Sequence, residues 1–305
     1  MVKVNATGKT PPVSVCIPLY MKERFVAETI QSVLDQTFTD FELVILNNAS
    51  TDRSGEIAES FDDPRITVLH NAETIPAPEN FAKLVPLTQA PLVKMVSADD
   101  VLHPTALERA VAVLRDPRIV LVSCRQNMIG EHSEIIYRDR SLRTPDLIGH
   151  QTRETVLRRC VRHVANPVGA FVNVMFRRTA YDAAGGIPDA PFIILDLAMW
   201  LEYLRYGDFY GIDETLVDFR IASGSASASS GRSAINDQVL FFHDLRRANA
   251  DIVRLSDTVY STVRTPVMRL RHQLIVSAAG NSGSSTTRAA KRVLALSRGA
   301  AGQES

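Results

Sequence analysis

Pro91, Leu92, Val93, Lys94, Met95, Val96, Ser97, Ala98, Asp99, Asp100 is an apolar run that ends in two adjacent carboxylates, and its reading decides the fold. A short apolar run of this kind, closed by turn residues, predicts a buried strand that ends at Ser97. In open α/β sheets ligands settle in the crevice beyond the carboxyl ends of the strands. Paired carboxylates there suit a hard divalent cation held together with a phosphate. Val101, Leu102, His103 and Pro104 read as a short turn into a helix, with Pro104 at its first position. The competing reading is that Asp99 and Asp100 only shape that turn and cap that helix.

Working outward, Val13 to Ile17 predicts a buried strand closed by Pro18, and Phe25, Val26, Thr29, Ile30, Val33 and Leu34 repeat at helical spacing. A strand over 41–46, a helix over 52–61, a strand over 65–69 and a helix over 79–87 follow. Four strand and helix units in a row imply a parallel, doubly wound α/β sheet covered by helices on both faces. Beyond a helix over 104–115 the pattern becomes mixed. Residues 119–128 and 134–138 read as a hairpin, 152–163 as a helix, 168–176 as a strand, 194–206 as a helix and 209–221 as a strand pair or an extended segment. Ser223 to Ser233 has the Ser, Gly and Ala composition of a flexible loop. The expected organisation is a polar tail (1–12), a catalytic domain (13–222), that loop (223–233) and a helical extension (234–305). The domain divides into a nucleotide-binding half (13–103) and an acceptor half (104–222).

The bulk properties narrow the function classes. The 305 residues are 45% hydrophobic, ample for a real core, and 34 basic residues balance 34 acidic ones, so no global charge argues for nucleic acid. Charge is uneven locally: from residue 240 onward ten basic residues stand against four acidic ones. Three widely spaced cysteines, Cys16, Cys124 and Cys160, argue against a disulfide framework or a zinc cluster. With no leader pattern and no stretch of about 20 apolar residues, a cytoplasmic location is expected. The basic helical tail, with Arg269, Arg271 and Arg292 among apolar residues, raises peripheral contact with the inner membrane face or homo-oligomerisation as expectations.

Four separated motifs, in order, resemble the inverting glycosyltransferases of family 2, which have the nucleotide-sugar-binding GT-A fold. They are Val13 to Tyr20 with Lys22 and Glu23, Glu42 to Asp52 ending in Ser50, Thr51 and Asp52, Ser97 to Pro104, and Asp196 with Trp200 and Leu201. The likeness covers residues 12–222. It implies a GT-A mixed, mostly parallel sheet flanked by helices, and transfer of a sugar from a nucleoside diphosphate donor, UDP favoured, to a saccharide or lipid-linked acceptor. Cell-surface polysaccharide or glycoconjugate synthesis is the implied setting. A noncatalytic sugar-nucleotide-binding or assembly protein on the same fold is the alternative.

By that resemblance Asp100 would hold a divalent cation, Mn2+ or Mg2+, against the diphosphate, and Asp99 would accept a ribose hydroxyl. Pro18, Tyr20, Glu23 and Asn47 would line the nucleotide pocket, with Asn80 nearby, and Asp196 would be the general base for the acceptor hydroxyl. Arg220 is a candidate diphosphate contact and Trp200 a candidate acceptor contact. The chain departs from the family pattern at three places: Asn47 stands for a base-reading acid, Leu195 for the acid that precedes the base, and Ala222 for a metal-reaching His.

Overall fold

The computed structural model describes residues 10–140, 142, 147–222, 232–263 and 266. The chain forms two compact units, Met1–Leu157 with Asn166–Arg220, and Arg158–Ala165 with Ile221–Ser305.

The first unit is built on one sheet. Its strands are β1 (Val13–Leu19), β2 (Phe41–Asn47), β3 (Ile66–His70), β4 (Leu92–Met95), β5 (Val101–Leu102), β6 (Ile119–Ile129), β7 (Ile135–Arg140), β8 (Gly149–Gln151), β9 (Met175–Arg177) and β10 (Asp208–Arg220). The spatial order is β3-β2-β1-β4-β9-β6-β10-β5, with β7 beside β6 and β8 beside β10. The first four strands are parallel, and β9 runs antiparallel to both β4 and β6. Therefore β6 points the same way as β4, and β10, parallel to β6, does too. The carboxyl ends of β1, β2, β4, β6 and β10 consequently share one edge of the sheet.

Every residue of β1 and β2 is buried, as strands covered on both faces require. Helix α1 (Val26–Leu34) covers them with Val26, Thr29, Ile30 and Val33. Burying each Val or Ile side chain contributes about 1.5–3 kcal/mol. Glu42 is the charged exception inside β2, and it accepts from Ser14 Oγ at 2.6 Å and from the Gln89 N–H at 3.2 Å. β1 runs through Pro18 to Leu19 rather than stopping at the proline. Alternate residues of β1 bond to β2 and to β4, and Pro18 falls on the β4 side, where pairing has already ended at Met95. Its missing N–H costs no ladder bond there.

Several boundaries differ from expectation for local reasons. Val101 and Leu102 are not a plain turn but β5, paired with Asp218 and Val217. Helix α4 (Ala106–Val113) begins after Pro104, with Thr105 at its N-cap, so Asp99 and Asp100 do not cap it. The strand expected over 168–176 is a 3-10 turn at Phe171–Asn173 followed by the short β9. Gly169 at φ +115 turns the chain there, and a Cβ at that position would lie 2.7 Å from the Asn173 side chain. The extended segment over 209–221 is the single strand β10. Helix α6 (Arg178–Ala183) and the edge strand β8 were not expected from the sequence.

In the second unit the helix Arg232–Ala248 buries Phe242, and a further helix spans 255–263. Asp257 accepts from Arg158 Nε at 2.8 Å, and the Arg162 guanidinium lies 4.6 Å from the Tyr260 ring centre. Of the loop expected over 223–233, residues 223–231 lie outside the described residues, and Arg232 and Ser233 are helix rather than loop. The basic tail from 267 onward, with Arg269, Arg271 and Arg292, also lies outside the described residues. No helix among the described residues is long and apolar enough to cross a membrane. All three cysteines are buried thiols. Burial pushes Cys16 up to about 12 and Cys124 to about 11, and Cys160 is raised as well.

Candidate active site

The loops that follow β1 and β2 lock onto each other. Met21 adopts φ 51, a left-handed conformation, and its N–H donates to Ser50 Oγ at 3.1 Å. The Lys22 N–H donates to Ser54 Oγ at 2.7 Å, and the Lys22 carbonyl accepts from Phe25 and Val26 at the start of α1. Glu23 and Asp52 cap each other's loops: the Glu23 N–H donates to Asp52 Oδ2, and the Arg53 N–H donates to Glu23 Oε2, both at 3.1 Å. Glu23 thus has a framework role, with its side chain at the surface. Tyr20 is 47% exposed, whereas Pro18 is buried in β1 and offers no contact surface.

Asn47, the candidate base reader, is buried and occupied at both ends. Its Oδ1 accepts from the Ser50 N–H and its Nδ2 pairs with His70 Nδ1, each at 3.1 Å. A Cβ at Gly55 would sit 2.7 Å from that amide nitrogen, so the first turn of α2 (Ser54–Glu59) packs onto it through a glycine. Asn47 therefore fixes the loop after β2 rather than presenting an unengaged amide. Asn80, on α3 (Ala77–Leu84), is buried and accepts from Asn71, which also donates to Asn48. It serves the loop after β2 from within.

The paired carboxylates stand at the shared strand edge, nearly or fully buried. Asp99 Oδ2 accepts from Lys22 Nζ at 2.6 Å. Asp100 Oδ1 accepts from the Arg220 N–H at 2.9 Å, while its Oδ2 has no hydrogen-bond partner among the described residues. Burial, then the neighbouring Asp99 charge, holds the Asp100 carboxyl well above the usual range. The Arg220 N–H, Ser97 and Lys22 pull the other way.

Arg220, the candidate diphosphate contact, is engaged by protein groups. It is almost fully buried at the end of β10, and its guanidinium is spent on protein: Nε on the Asp99 carbonyl and Nη1 on the Gly130 carbonyl, both 2.8 Å, and Nη2 on Glu28 at 2.5 Å. Nη1 also reaches Ser133 Oγ at 3.1 Å. It ties the carboxylate loop to α1 and to the β6–β7 turn. Sequence reasoning missed this role, because only the four acceptors gathered around the guanidinium, from residues 87 to 192 positions away, reveal it.

Asp196 sits in the first turn of α7 (Leu195–Tyr203), with Ile194 at the N-cap. Its Oδ1 accepts from the Leu197 N–H at 2.6 Å and its Oδ2 from Asn166 Nδ2 at 3.1 Å. Burial pushes its carboxyl up to about 7, against the pull of these bonds. Leu195, where a second acid was looked for, is wholly buried core. Trp200 is also core and not an acceptor wall: it is 0% exposed, donates from Nε1 to the Gly169 carbonyl at 3.0 Å, and packs edge-on against Phe171. The Asn166–Asn173 loop that supports Asp196 is fastened to the sheet. Lys94 Nζ donates to the Val172 carbonyl, and Asn173 Nδ2 donates to the Cys124 carbonyl at 3.0 Å. No motif announced Asn166, 30 residues upstream of its partner.

A cavity of about 400 Å³ lined by Val113, Asp116, His150 and Tyr210 lies at the amino-terminal ends of β6 and β10, the opposite edge from Asp99. It touches none of Asp99, Asp100 and Asp196. Asp100 fits a cation as one protein ligand, through its unpartnered Oδ2, although no cluster of three or more His, Cys, Asp or Glu occurs among the described residues.

Residues 14–185, more than half of the chain, match the profile of the family described as glycosyl transferase family 2. The chain belongs to glycosyl transferase family 2. Relatives of this family-2 chain include MT1568 of Mycobacterium tuberculosis, 26% identical over 207 residues, covering 66% of this chain and 64% of that protein. TuaG of Bacillus subtilis, named a putative teichuronic acid biosynthesis glycosyltransferase, is 25% identical over 75% of this chain and 86% of its own length. The chain spans 64% of MT1568 and 33% of the Bacillus subtilis glycosyltransferase EpsJ. Among solved structures, residues 1–349 of S. aureus TarS in complex with UDP-GlcNAc share the GT-A fold at TM-score 0.57 and 14% identity, over 94% of this chain and 92% of that one. The mannosyltransferase PcManGT of Pyrobaculum calidifontis, in complex with GDP-Man and Mn2+, matches at TM-score 0.54 and 20% identity, over 96% and 80%.

Proposed function

We propose that this protein transfers a sugar from a nucleoside diphosphate sugar, UDP-linked by preference, to a saccharide or lipid-linked acceptor with inversion at the anomeric carbon. The observation that carries the reading is the buried Asp99–Asp100 pair at the shared strand edge, with one carboxylate oxygen unpartnered. Family membership and the UDP-GlcNAc complex of the similar TarS support a nucleotide-sugar donor. The name of TuaG supports a role in cell-surface polysaccharide synthesis.

In this reading Asp100 would hold the divalent cation and Asp99, through Oδ1, a ribose hydroxyl. The cation supplies Lewis-acid neutralisation of the departing diphosphate. Tyr20, exposed beside the strand end, flanks the nucleotide, and Glu23 with Asp52 keeps that loop in shape. Asp196 takes the proton of the acceptor hydroxyl as it attacks from the face opposite the leaving group. A carboxyl pushed to about 7 is matched to proton transfer near neutral pH.

The test is donor hydrolysis with UDP, dTDP and GDP sugars, with and without Mn2+. Metal-dependent release of one nucleoside diphosphate, lost in Asp100→Ala and Asp196→Asn, is expected. No turnover of any donor would overturn the enzyme reading, and donor binding without turnover would favour a noncatalytic sugar-nucleotide-binding protein.

A further inference from the structure

Two adjacent buried carboxylates require compensating charge, and the nearest guanidinium does not provide it: Arg220 spends its charge on Glu28. The cation that meets the pair is Lys22, whose ammonium lies 2.6 Å from Asp99 Oδ2. Its backbone is fixed by the bonds to Ser54 Oγ and to the first turn of α1, so the ammonium is delivered from a rigid base on a flexible four-carbon stem. The side chain is 23% exposed, so it reaches the carboxylates from the open side of the site.

We infer that Lys22 is a tethered counter-cation that competes with a free divalent cation for the Asp99–Asp100 pair, so that metal enters together with the donor diphosphate. Before donor arrives, the ammonium lowers the negative potential that would attract a cation. A diphosphate would add its own anionic oxygens beside Asp100, and the balance would then favour a doubly charged ion, which prefers an all-oxygen ligand set. The displaced ammonium then stands beside the diphosphate, a group that lysine recognises as a point charge. This rests on the donor-site reading of Asp99 and Asp100.

The test is Mn2+ titration of the full chain, followed by the electron paramagnetic resonance of unbound Mn2+, with and without UDP. Lys22→Met keeps every backbone bond of residue 22, and circular dichroism checks that it folds. The expected result is that Lys22→Met binds Mn2+ alone about tenfold more tightly than the unaltered protein, the size of one like-charge repulsion near a surface. UDP should then enhance Mn2+ binding less than before. Lys22→Arg, which keeps the charge, should bind like the unaltered protein. Equal or weaker Mn2+ binding in Lys22→Met overturns the inference, as does equal tightening in both variants. Metal-dependent donor turnover with unchanged Mn2+ affinity in Lys22→Met sinks the inference and leaves the proposed function standing. The reverse pattern does the opposite.

Discussion

Asp100 and Asp196 are both carboxyls raised by burial, but their surroundings treat the charge differently. Around Asp100 stand a second carboxylate, a lysine and an arginine backbone N–H, and one oxygen has no partner. Around Asp196 stand only dipoles, an asparagine amide and the N–H of its own helix. The first site is a concentrated negative charge partly offset by a tethered cation, which suits a cation. The second is an isolated carboxyl whose ionisation is finely balanced, which suits a proton. One strand edge and one helix start thus give the same residue type two different electrostatic settings.

The largest expected effect that tests this contrast is on turnover. Asp196→Asn should lower donor hydrolysis or transfer by about 10²- to 10⁴-fold while donor affinity, read by calorimetry, stays put. A parallel loss of donor affinity would erase the distinction between the sites. Next, Arg220→Met leaves the Asp99 carbonyl without its donor, leaves the Gly130 carbonyl with only the Ser133 N–H, and takes the cation from Glu28. It should cost about 3 kcal/mol in urea unfolding and weaken Mn2+ binding in the presence of UDP.

A smaller effect is expected at Asn166. Asn166→Ala removes a donor to ionised Asp196, so its pKa rises further, and the acid limb of the rate profile should move up by about one pH unit. Activity lost at pH 7 should return at higher pH. The smallest effect concerns stability. Asp196 has a folded pKa near 7, above its unfolded value, so the folded state binds the extra proton between the two. Stability conferred by the protonated form is present at the low end of that window and is lost as pH rises through about 7. Asp196→Asn should therefore be more stable than the unaltered protein at pH 8, with the gap closing towards pH 5, as thermal melts would show.

The strands that carry the candidate site could be read in the sequence because they are written in contiguous runs. Val13 to Leu19, Phe41 to Asn47 and Leu92 to Met95 are short buried strands, and each carries its site residues at or just beyond its carboxyl end. Other elements were harder. β9 has three residues and β5 two, too short to show periodicity, and Gly169 interrupts a run that otherwise reads as a strand. Arg220 and Trp200 illustrate a second limit. Their residue types suited ligand contact, but whether a side chain points into a cleft or into the core depends on partners far away in sequence: Glu28 for the arginine, Gly169 for the tryptophan. Asn166 shows a third, since a positioning amide carries no pattern of its own.

The three thiols offer a use unrelated to chemistry on sugars. Cys16 lies in β1 and Cys124 in β6 of the first unit, while Cys160 belongs to the second. Each is shielded from reagents and shifted away from its reactive thiolate. Alkylation should therefore proceed only through opening of the surrounding structure. Mass spectrometry of the three labelled peptides would time that opening at three points, giving each unit its own sulfur clock without a single substitution.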